Sequence, residues 1–267
     1  YTLSLHDALP ICAQDWAVRC MHEASLYDFN AFVTLTYNDE HLPNDYSLSV
    51  DDHQKFLKRL RRWAVSENGV SPRFFMAGEY GENFGRPHYH YILFNCRFPD
   101  QKFHRKAENG ENVFTSERLS ERWGKGFAEI GSVTFDSAGY VARYCTKKLS
   151  GEMAEDHYHY TDSEGRSHYR LPEFSRSSLR PAIGVPWLEK FHKDVYNHDV
   201  VVTKTGKMRP PRFYDRKYEI LHPEEFERLR ENRKKRRNRE PVDESYNRFS
   251  VREEVAKAKL TTRSEEH

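Results

Sequence analysis

The chain has 267 residues, of which 37% are hydrophobic and 31% are charged, and its formal net charge is +2. This length suffices for one domain with extensions or for two small domains. No apolar run approaches the roughly 18 residues of a membrane span, which argues against a membrane partner. Its four cysteines lack the paired spacing of a metal site, and this fits a reduced, cytosolic setting.

The first 100 residues predict two helices and three strands. Apolar residues recur at helical spacing in the first segment and again after Ser49, a plausible N-cap, whereas β-branched and aromatic runs predict the strands. A Gly-rich turn joins the second and third strands into a hairpin. The segments are, in order, a helix at 14–27, a strand at 30–37, a helix at 49–65, and strands at 72–81 and 88–94.

The next part of the chain predicts a polar insertion at 100–115, a short helix at 115–123, a strand at 126–135 and a helix at 137–150 capped by Ser137. Later residues predict a hairpin and two helices, the last of them highly charged. Hairpin connections favour antiparallel pairing. We therefore expect an α+β protein, with a central antiparallel sheet, helices packed on one face of it and a charged helical C-terminal extension.

The ends of the chain read unlike the rest, and they shape the expected domain organisation. The opening YTLSLHDALPI and the closing TTRSEEH resemble translated adapter sequence. The expected organisation is a non-native extension at 1–14, a core at 15–150, an elaboration of the same domain at 151–215, a charged helical tail at 216–260 and a non-native end at 261–267.

Two histidines at alternate positions of one strand are the first candidate site residues. His88 and His90 project from the same face because side chains two apart in a strand point the same way. The hairpin turn should bring Glu79 beside them. Two imidazoles and one carboxylate form an open metal site that leaves positions for water and substrate. Two unrelated histidines and a surface glutamate are the alternative.

A second candidate group lies on the predicted helix at 137–150. Tyr140 and Tyr144 are four residues apart, hence on one helix face, and Lys147 follows about one turn later. A phenol with a pKa near 10 is a weak nucleophile unless its developing charge is offset, which a lysine and a metal-polarised phosphate would do. Simple packing of two aromatic rings is the alternative.

Basic clusters beside abundant aromatic residues suit a single-stranded nucleic-acid surface. The run at 228–239 has eight Arg or Lys in twelve residues, although a solvated helix would explain it equally well. A second triplet, His157-Tyr158-His159, lacks an adjoining apolar strand and is interpreted as structural or DNA-facing. The candidate DNA-binding residues are Lys58, Arg59, Arg61, Arg62, Arg143 and Lys148.

The order FVTLTY, then HYH, then YVARYCTK resembles the three motifs of the HUH-type replication initiators. More closely, the chain resembles the replication initiation proteins of gokushovirus-type Microviridae, which are small single-stranded DNA phages. The segments WAVRCMHEA, GEYGENFGRPHYHYILF and LRPAIGVPWLEKF carry this resemblance as well, which covers roughly residues 15–255. The HUH motif alone is weak, whereas the ordered set is highly specific.

The resemblance implies an HUH endonuclease with a ferredoxin- or RRM-like sheet that nicks phage origin DNA. One tyrosine attacks the scissile phosphate, leaving a 5′-phosphotyrosine and a free 3′-hydroxyl that primes rolling-circle synthesis. It implies Tyr140 and Tyr144 as alternating nucleophiles, Lys147 beside them, and His88 and His90 as ligands of Mg²⁺ or Mn²⁺, with a looser match for Glu79.

The implied partners are single-stranded or supercoiled origin DNA and the helicase and polymerase of a bacterial host, in whose cytoplasm the protein would act. A different class of function is the alternative: a non-catalytic single-stranded DNA-binding protein on the same fold. Presence of both histidines, Glu79 and both tyrosines argues against that alternative, because binding alone needs none of them. A structural zinc site is a poor fit, since no closed four-ligand spacing exists.

Overall fold

The computed structural model describes residues 5–81, 85–107, 109–143, 158–161, 165–203, 206–239, 250 and 253–254. The chain separates into two compact units, Tyr1–Tyr214 and Asp215–His267. The helices are α1 Leu5–Ala24, α2 Val50–Asn68, α3 Glu117–Trp123, α4 Phe135–Arg143, α5 Val185–Tyr196, α6 Arg212–Leu221 and α7 Pro223–Arg239. The strands are β1 Asn30–Tyr37, β2 Arg73–Tyr80, β3 Pro87–Phe94, β4 Lys102–Lys106, β5 Asn112–Thr115, β6 Gly126–Gly131, β7 His159–Thr161, β8 Ser167–Tyr169, β9 Phe174–Ser177, β10 Val201–Thr203 and β11 Gly206–Met208.

A seven-stranded sheet forms the centre of the first unit as far as the structure describes it. Its order is β4-β5-β6-β1-β3-β2-β9, and the pairings within it are antiparallel. The central strand β1 pairs with β3 on one side and with β6 on the other. The predicted class, an α+β fold with a central antiparallel sheet, flanking helices and a helical C-terminal extension, is confirmed.

The two faces of the sheet carry separate hydrophobic cores. On one face, Tyr89, Tyr91 and Leu93 of β3 pack with the apolar residues of α2 and α3. On the other, Ile92 and Phe94 pack with residues of α1 and α4. Helices on one face only were therefore a wrong expectation. A strand such as β3 that is apolar at consecutive positions has hydrophobic side chains on both faces, and each face needs a cover.

Local chemistry fixes the ends of several helices. The hydroxyl of Ser49 accepts a hydrogen bond from the Asp52 amide at 3.1 Å, as the predicted N-cap of α2 requires. Helix α4 begins at Phe135, not at the predicted Ser137. Thr134 and Ser137 exchange hydrogen bonds, Thr134 N–H to Ser137 Oγ at 2.8 Å and Ser137 N–H to Thr134 Oγ1 at 3.1 Å, in the reciprocal pattern of a capping box.

The predicted polar insertion at 100–115 is also wrong in part, because it forms the hairpin of β4 and β5 at one edge of the sheet. All five residues of β4 are exposed, so this strand has no apolar alternation by which its sequence could announce it. The predicted strand at 126–135 ends earlier, at Gly131. The hairpin near residue 165 and helix α5, with Pro186 in its first turn, agree with expectation.

The second unit contains the charged helix α7. Phe226 is its buried anchor, and the guanidinium of Arg233 binds the Asp215 carboxylate through two contacts of 2.7 and 3.1 Å. Most of the remaining basic residues of this helix are exposed. Among the helices of the described ranges, none has the length and apolar character that a membrane crossing requires.

Candidate metal centre and its tyrosine

The register of the β2–β3 hairpin brings three candidate ligands together. Glu79 is the direct cross-strand partner of His88, and His90 lies on the same face two residues further along β3. Glu79 Oε1 is 2.6 Å from His90 Nε2 and 3.5 Å from His88 Nε2. One donor atom from each side chain lies within 4.8 Å of the others, so this group could hold a metal ion.

Burial and charge make Glu79 an ionised carboxylate. It is only 2% exposed, and this burial raises its pKa, but hydrogen bonds to His88 and His90 and their positive charge outweigh burial and lower the pKa to about 2. A carboxylate that keeps its charge at neutral pH in a buried position needs a cationic partner. Two imidazoles at hydrogen-bond distance supply one here, and a divalent cation would be another.

Two polar atoms of the cluster give an independent test of whether a cation fits. Glu79 Oε2 and His88 Nδ1 are buried, and neither makes a hydrogen bond with any described residue. Buried polar atoms are nearly always paired, so such orphans call for a ligand. Nitrogen and carboxylate oxygen donors suit divalent ions of the Mg²⁺ and Mn²⁺ type. The cluster therefore fits the divalent cation that the sequence implied.

Strand β1 supports His90 from the side opposite to Glu79. Thr34 pairs directly with His90 in the sheet, and Thr34 Oγ1 lies 3.1 Å from His90 Nδ1. Phe32 stacks on the same imidazole, with ring centroids 5.6 Å apart. A hydroxyl can donate to or accept from Nδ1, so Thr34 can hold the ring in the tautomer that leaves Nε2 free to bind a cation. Sequence reasoning missed Thr34.

Helix α4 delivers Tyr140 to the cluster. Its buried residues Ala138, Val141 and Ala142 fix the helix on this face of the sheet. The Tyr140 hydroxyl donates a hydrogen bond to Glu79 Oε1 at 3.0 Å, and its ring meets the His90 ring edge to face at 5.1 Å. The structure thus brings Tyr140 together with Glu79, His88 and His90. Tyr144, Lys147 and Lys148 lie outside the described residues.

The other candidate residues lie elsewhere, apart from Arg143, whose guanidinium is 5.3 Å from the centre of the Tyr140 ring. Lys58, Arg59, Arg61 and Arg62 belong to α2, which packs on the opposite face of the sheet. Arg59 donates hydrogen bonds to the carbonyls of Arg122 and Trp123 at the end of α3. The structure does not bring this basic group to the cluster.

The second histidine triplet is separate from the cluster. His159 is exposed on the β7–β8 hairpin, and Tyr158 is buried with its hydroxyl donating to Glu173 at 2.5 Å. His157 lies outside the described residues. A neighbouring glycine does matter to the cluster: a Cβ on Gly81 would come within 2.9 Å of His88 Cε1, so a larger residue there would displace the imidazole.

Comparison with known proteins identifies the family. Residues 30–149 match the family described as replication-associated protein ORF2. The chain is 33% identical over 238 residues to the replication-associated protein ORF2 of Spiroplasma virus 4, a match that covers 83% of this chain and 68% of that protein. The chain belongs to this family of phage replication-associated proteins. The family predicted from the ordered motifs is therefore confirmed.

Two further members of the family show how much of the relatives the chain covers. It is 40% identical over 220 residues to the replication-associated protein VP4 of Bdellovibrio phage phiMH2K, covering 80% of this chain and 65% of that protein. It is 33% identical over 141 residues to the replication-associated protein ORF4 of Chlamydia phage 1, covering 51% and 35%. The chain thus spans about two thirds of the first two relatives. No solved structure matches it.

Proposed function

We propose that the protein starts rolling-circle replication of a small single-stranded DNA phage by nicking the origin and transferring the strand through a 5′-phosphotyrosine. The observation that carries this proposal is the contact between a tyrosine and the ligand cluster: the Tyr140 hydroxyl lies 3.0 Å from the Glu79 carboxylate, which also contacts His88 and His90. A phosphate bound at the cluster would lie beside a nucleophilic oxygen.

The reaction transfers a phosphoryl group between two oxygens. The phenolic oxygen of Tyr140 bonds to the scissile phosphorus, the bond from phosphorus to the 3′ oxygen breaks, and that oxygen takes up a proton to become a free 3′-hydroxyl. The phosphate of the downstream strand remains on the tyrosine. Reversal of these steps with a second 3′-hydroxyl joins strands, so no external energy source is needed.

Glu79 orients the nucleophile in this scheme. With a pKa of about 2 it is too weak a base to take the phenol proton at neutral pH, but its ionised oxygen holds the hydroxyl by a hydrogen bond. Lys147, one turn beyond Tyr144 in the predicted helix, is the residue we assign to offset the developing phenolate charge. Tyr144 is assigned as the alternate nucleophile for the second cleavage and joining step.

Glu79, His88 and His90 would hold the divalent cation, which when bound acts as a Lewis acid that polarises the scissile phosphate. Imidazole ligation favours Mn²⁺ in intrinsic affinity, whereas cellular abundance favours Mg²⁺. The partners we propose are single-stranded or supercoiled phage origin DNA and the host helicase and polymerase. The site of action is the cytoplasm of the bacterial host.

A non-catalytic single-stranded DNA-binding protein is the second candidate function. It is favoured by the long basic helix α7, whose exposed cations can contact phosphates without any chemistry. The two functions differ in one product, because only the endonuclease forms a covalent bond between protein and DNA.

The test is incubation of the purified chain with circular single-stranded phage DNA and Mg²⁺, followed by detection of a denaturant-resistant adduct. Tyr140→Phe and Tyr144→Phe each retain part of the adduct, and the double variant retains none while it still binds DNA, because phenylalanine removes only the nucleophilic oxygen. Tyr169→Phe, an exposed tyrosine on the β7–β8 hairpin, is the matched control and stays fully active. DNA binding without any adduct in the wild type selects the binding protein instead.

A further inference from the structure

The face of the sheet that carries the ligand cluster extends beyond it, across β1 to β6. Thr36 of β1 pairs with His88 on one side and with Phe127 on the other. Directly paired residues of a sheet project on the same face, so these three side chains form one row. Strands are about 4.8 Å apart, which places Phe127 about 10 Å from His88 at the backbone.

Phe127 differs from the other apolar residues of its strand. Its neighbours Ala128 and Ile130 belong to the core beneath α2 and α3, whereas Phe127 is 68% exposed. Between it and the cluster, Thr34 and Thr36 are half-buried and polar. A large ring is thus presented to solvent on the same face as the cluster and in the same row as one of its imidazoles.

Charge on the same side of the sheet suits a polyanion. Strand β4, at the edge beyond β6 and β5, is exposed throughout and carries Lys102, Arg105 and Lys106. The acidic Glu129, which shares the row of His90 through Thr34, is bound by both forks of the Arg105 guanidinium at 3.1 and 2.9 Å. This pairing neutralises the carboxylate, so it does not repel phosphates approaching along the face.

We propose that Phe127 is a stacking platform for a nucleobase of the single strand whose phosphate occupies the ligand cluster, with the cations of β4 contacting the backbone beyond it. An exposed ring flanked by cations is how proteins bind unpaired bases without reading their sequence. This assignment rests on the proposed function, because it takes single-stranded DNA as the substrate of the cluster. It adds a residue, and a direction along the sheet in which the strand runs.

Stacking predicts a loss of affinity that depends on the ring. Fluorescence anisotropy with the full chain and a labelled single-stranded oligothymidylate gives the dissociation constant, without added divalent ion so that no cleavage intervenes. Phe127→Ala raises the dissociation constant about tenfold, since stacking of one base contributes that much or more, and Phe127→Trp restores it. Phe103→Ala is the matched control, because Phe103 is 59% exposed on β4 and pairs with Phe114, which packs on the opposite face.

A second oligonucleotide separates stacking from a structural role. On an abasic strand of the same length, Phe127→Ala binds as the wild type does, because there is no base to lose. Equal weakening on both strands, or no weakening on either, overturns the stacking platform, and the second result leaves this face to a protein partner. Neither result touches the nicking activity, which the tyrosine adduct of the wild type reports separately.

Discussion

The two faces of strand β3 use the same backbone for opposite purposes. Tyr89 and Tyr91 face α2 and α3, are fully buried, and have their hydroxyls bonded to Ser49 and His53. On the other face, His88 keeps a fifth of its side chain exposed and has a buried Nδ1 without a described partner. Completed hydrogen bonds belong to a face that stabilises the fold, and incomplete ones to a face that binds.

The largest effect expected from this contrast is a loss of chemistry without a loss of fold. His90→Gln keeps a hydrogen-bond donor for Glu79 but removes the imidazole ligand. We expect adduct formation to fall to background, while the melting temperature changes little and DNA affinity, which depends on phosphate contacts, is retained.

The control for this variant is His159→Gln in the second triplet, which leaves adduct formation unchanged. Equal losses in the two variants would show that the wrong triplet has been placed in the site.

The second prediction concerns the helix-covered face. Trp123 is fully buried, packs against the rings of Tyr37, Phe56 and Tyr89, and donates its indole N–H to the Thr36 carbonyl at 3.0 Å. Trp123→Ala should lower the free energy of unfolding by about 3–5 kcal/mol, measured by urea titration. The folded fraction should bind Mn²⁺ as tightly as the wild type. A loss below about 1 kcal/mol contradicts the assignment of this face to stability.

The third prediction sharpens the difference at His90 itself. When a cation occupies Nε2, the imidazole proton is on Nδ1 and needs the Thr34 hydroxyl as acceptor, so Thr34→Val should weaken Mn²⁺ binding about 10–100-fold. Isothermal titration calorimetry measures this directly, without reference to activity. Thr34→Ser keeps the hydroxyl and should bind nearly as the wild type does. Comparable affinities for the valine and serine variants would remove Thr34 from this role.

The smallest effect is a dependence of stability on pH. Burial, helped by Arg176 and Arg61, lowers the pKa of His53 from 6.5 to about 4. The unfolded chain therefore takes up this proton first, and the free energy of unfolding falls as pH drops from about 6.5 to about 4, by roughly 2 kcal/mol. Urea titrations across this range measure the slope, which His53→Gln should reduce. A variant slope as steep as that of the wild type counts against His53 as its source.

Much of the site could be predicted because its geometry is local. The i, i+2 spacing put His88 and His90 on one face, and the hairpin turn put Glu79 opposite them. Thr34 could not be predicted in the same way, because its contact with His90 depends on the register of two strands 56 residues apart in the chain. Only the polar positions in FVTLTY hinted that this strand contributes to the site.

The remaining errors in the fold have a similar origin. Strand β4 pairs at an edge and buries nothing, so its sequence has no hydrophobic period to detect. The helices on the second face were missed because the apolar run of β3 was assigned to one core, although Ile92 and Phe94 face the other. Patterns within one element predict that element well, but they say little about which surfaces of it will be covered.

The two unpaired atoms of the ligand cluster, Glu79 Oε2 and His88 Nδ1, couple the protein to its ionic surroundings. A cation that binds the folded chain but not the unfolded one adds to stability by mass action, about 2.7 kcal/mol at a hundred times its dissociation constant. Thermal resistance then has no single value for this molecule. It is set jointly by the sequence and by the divalent ion content of the host cell in which the chain finds itself.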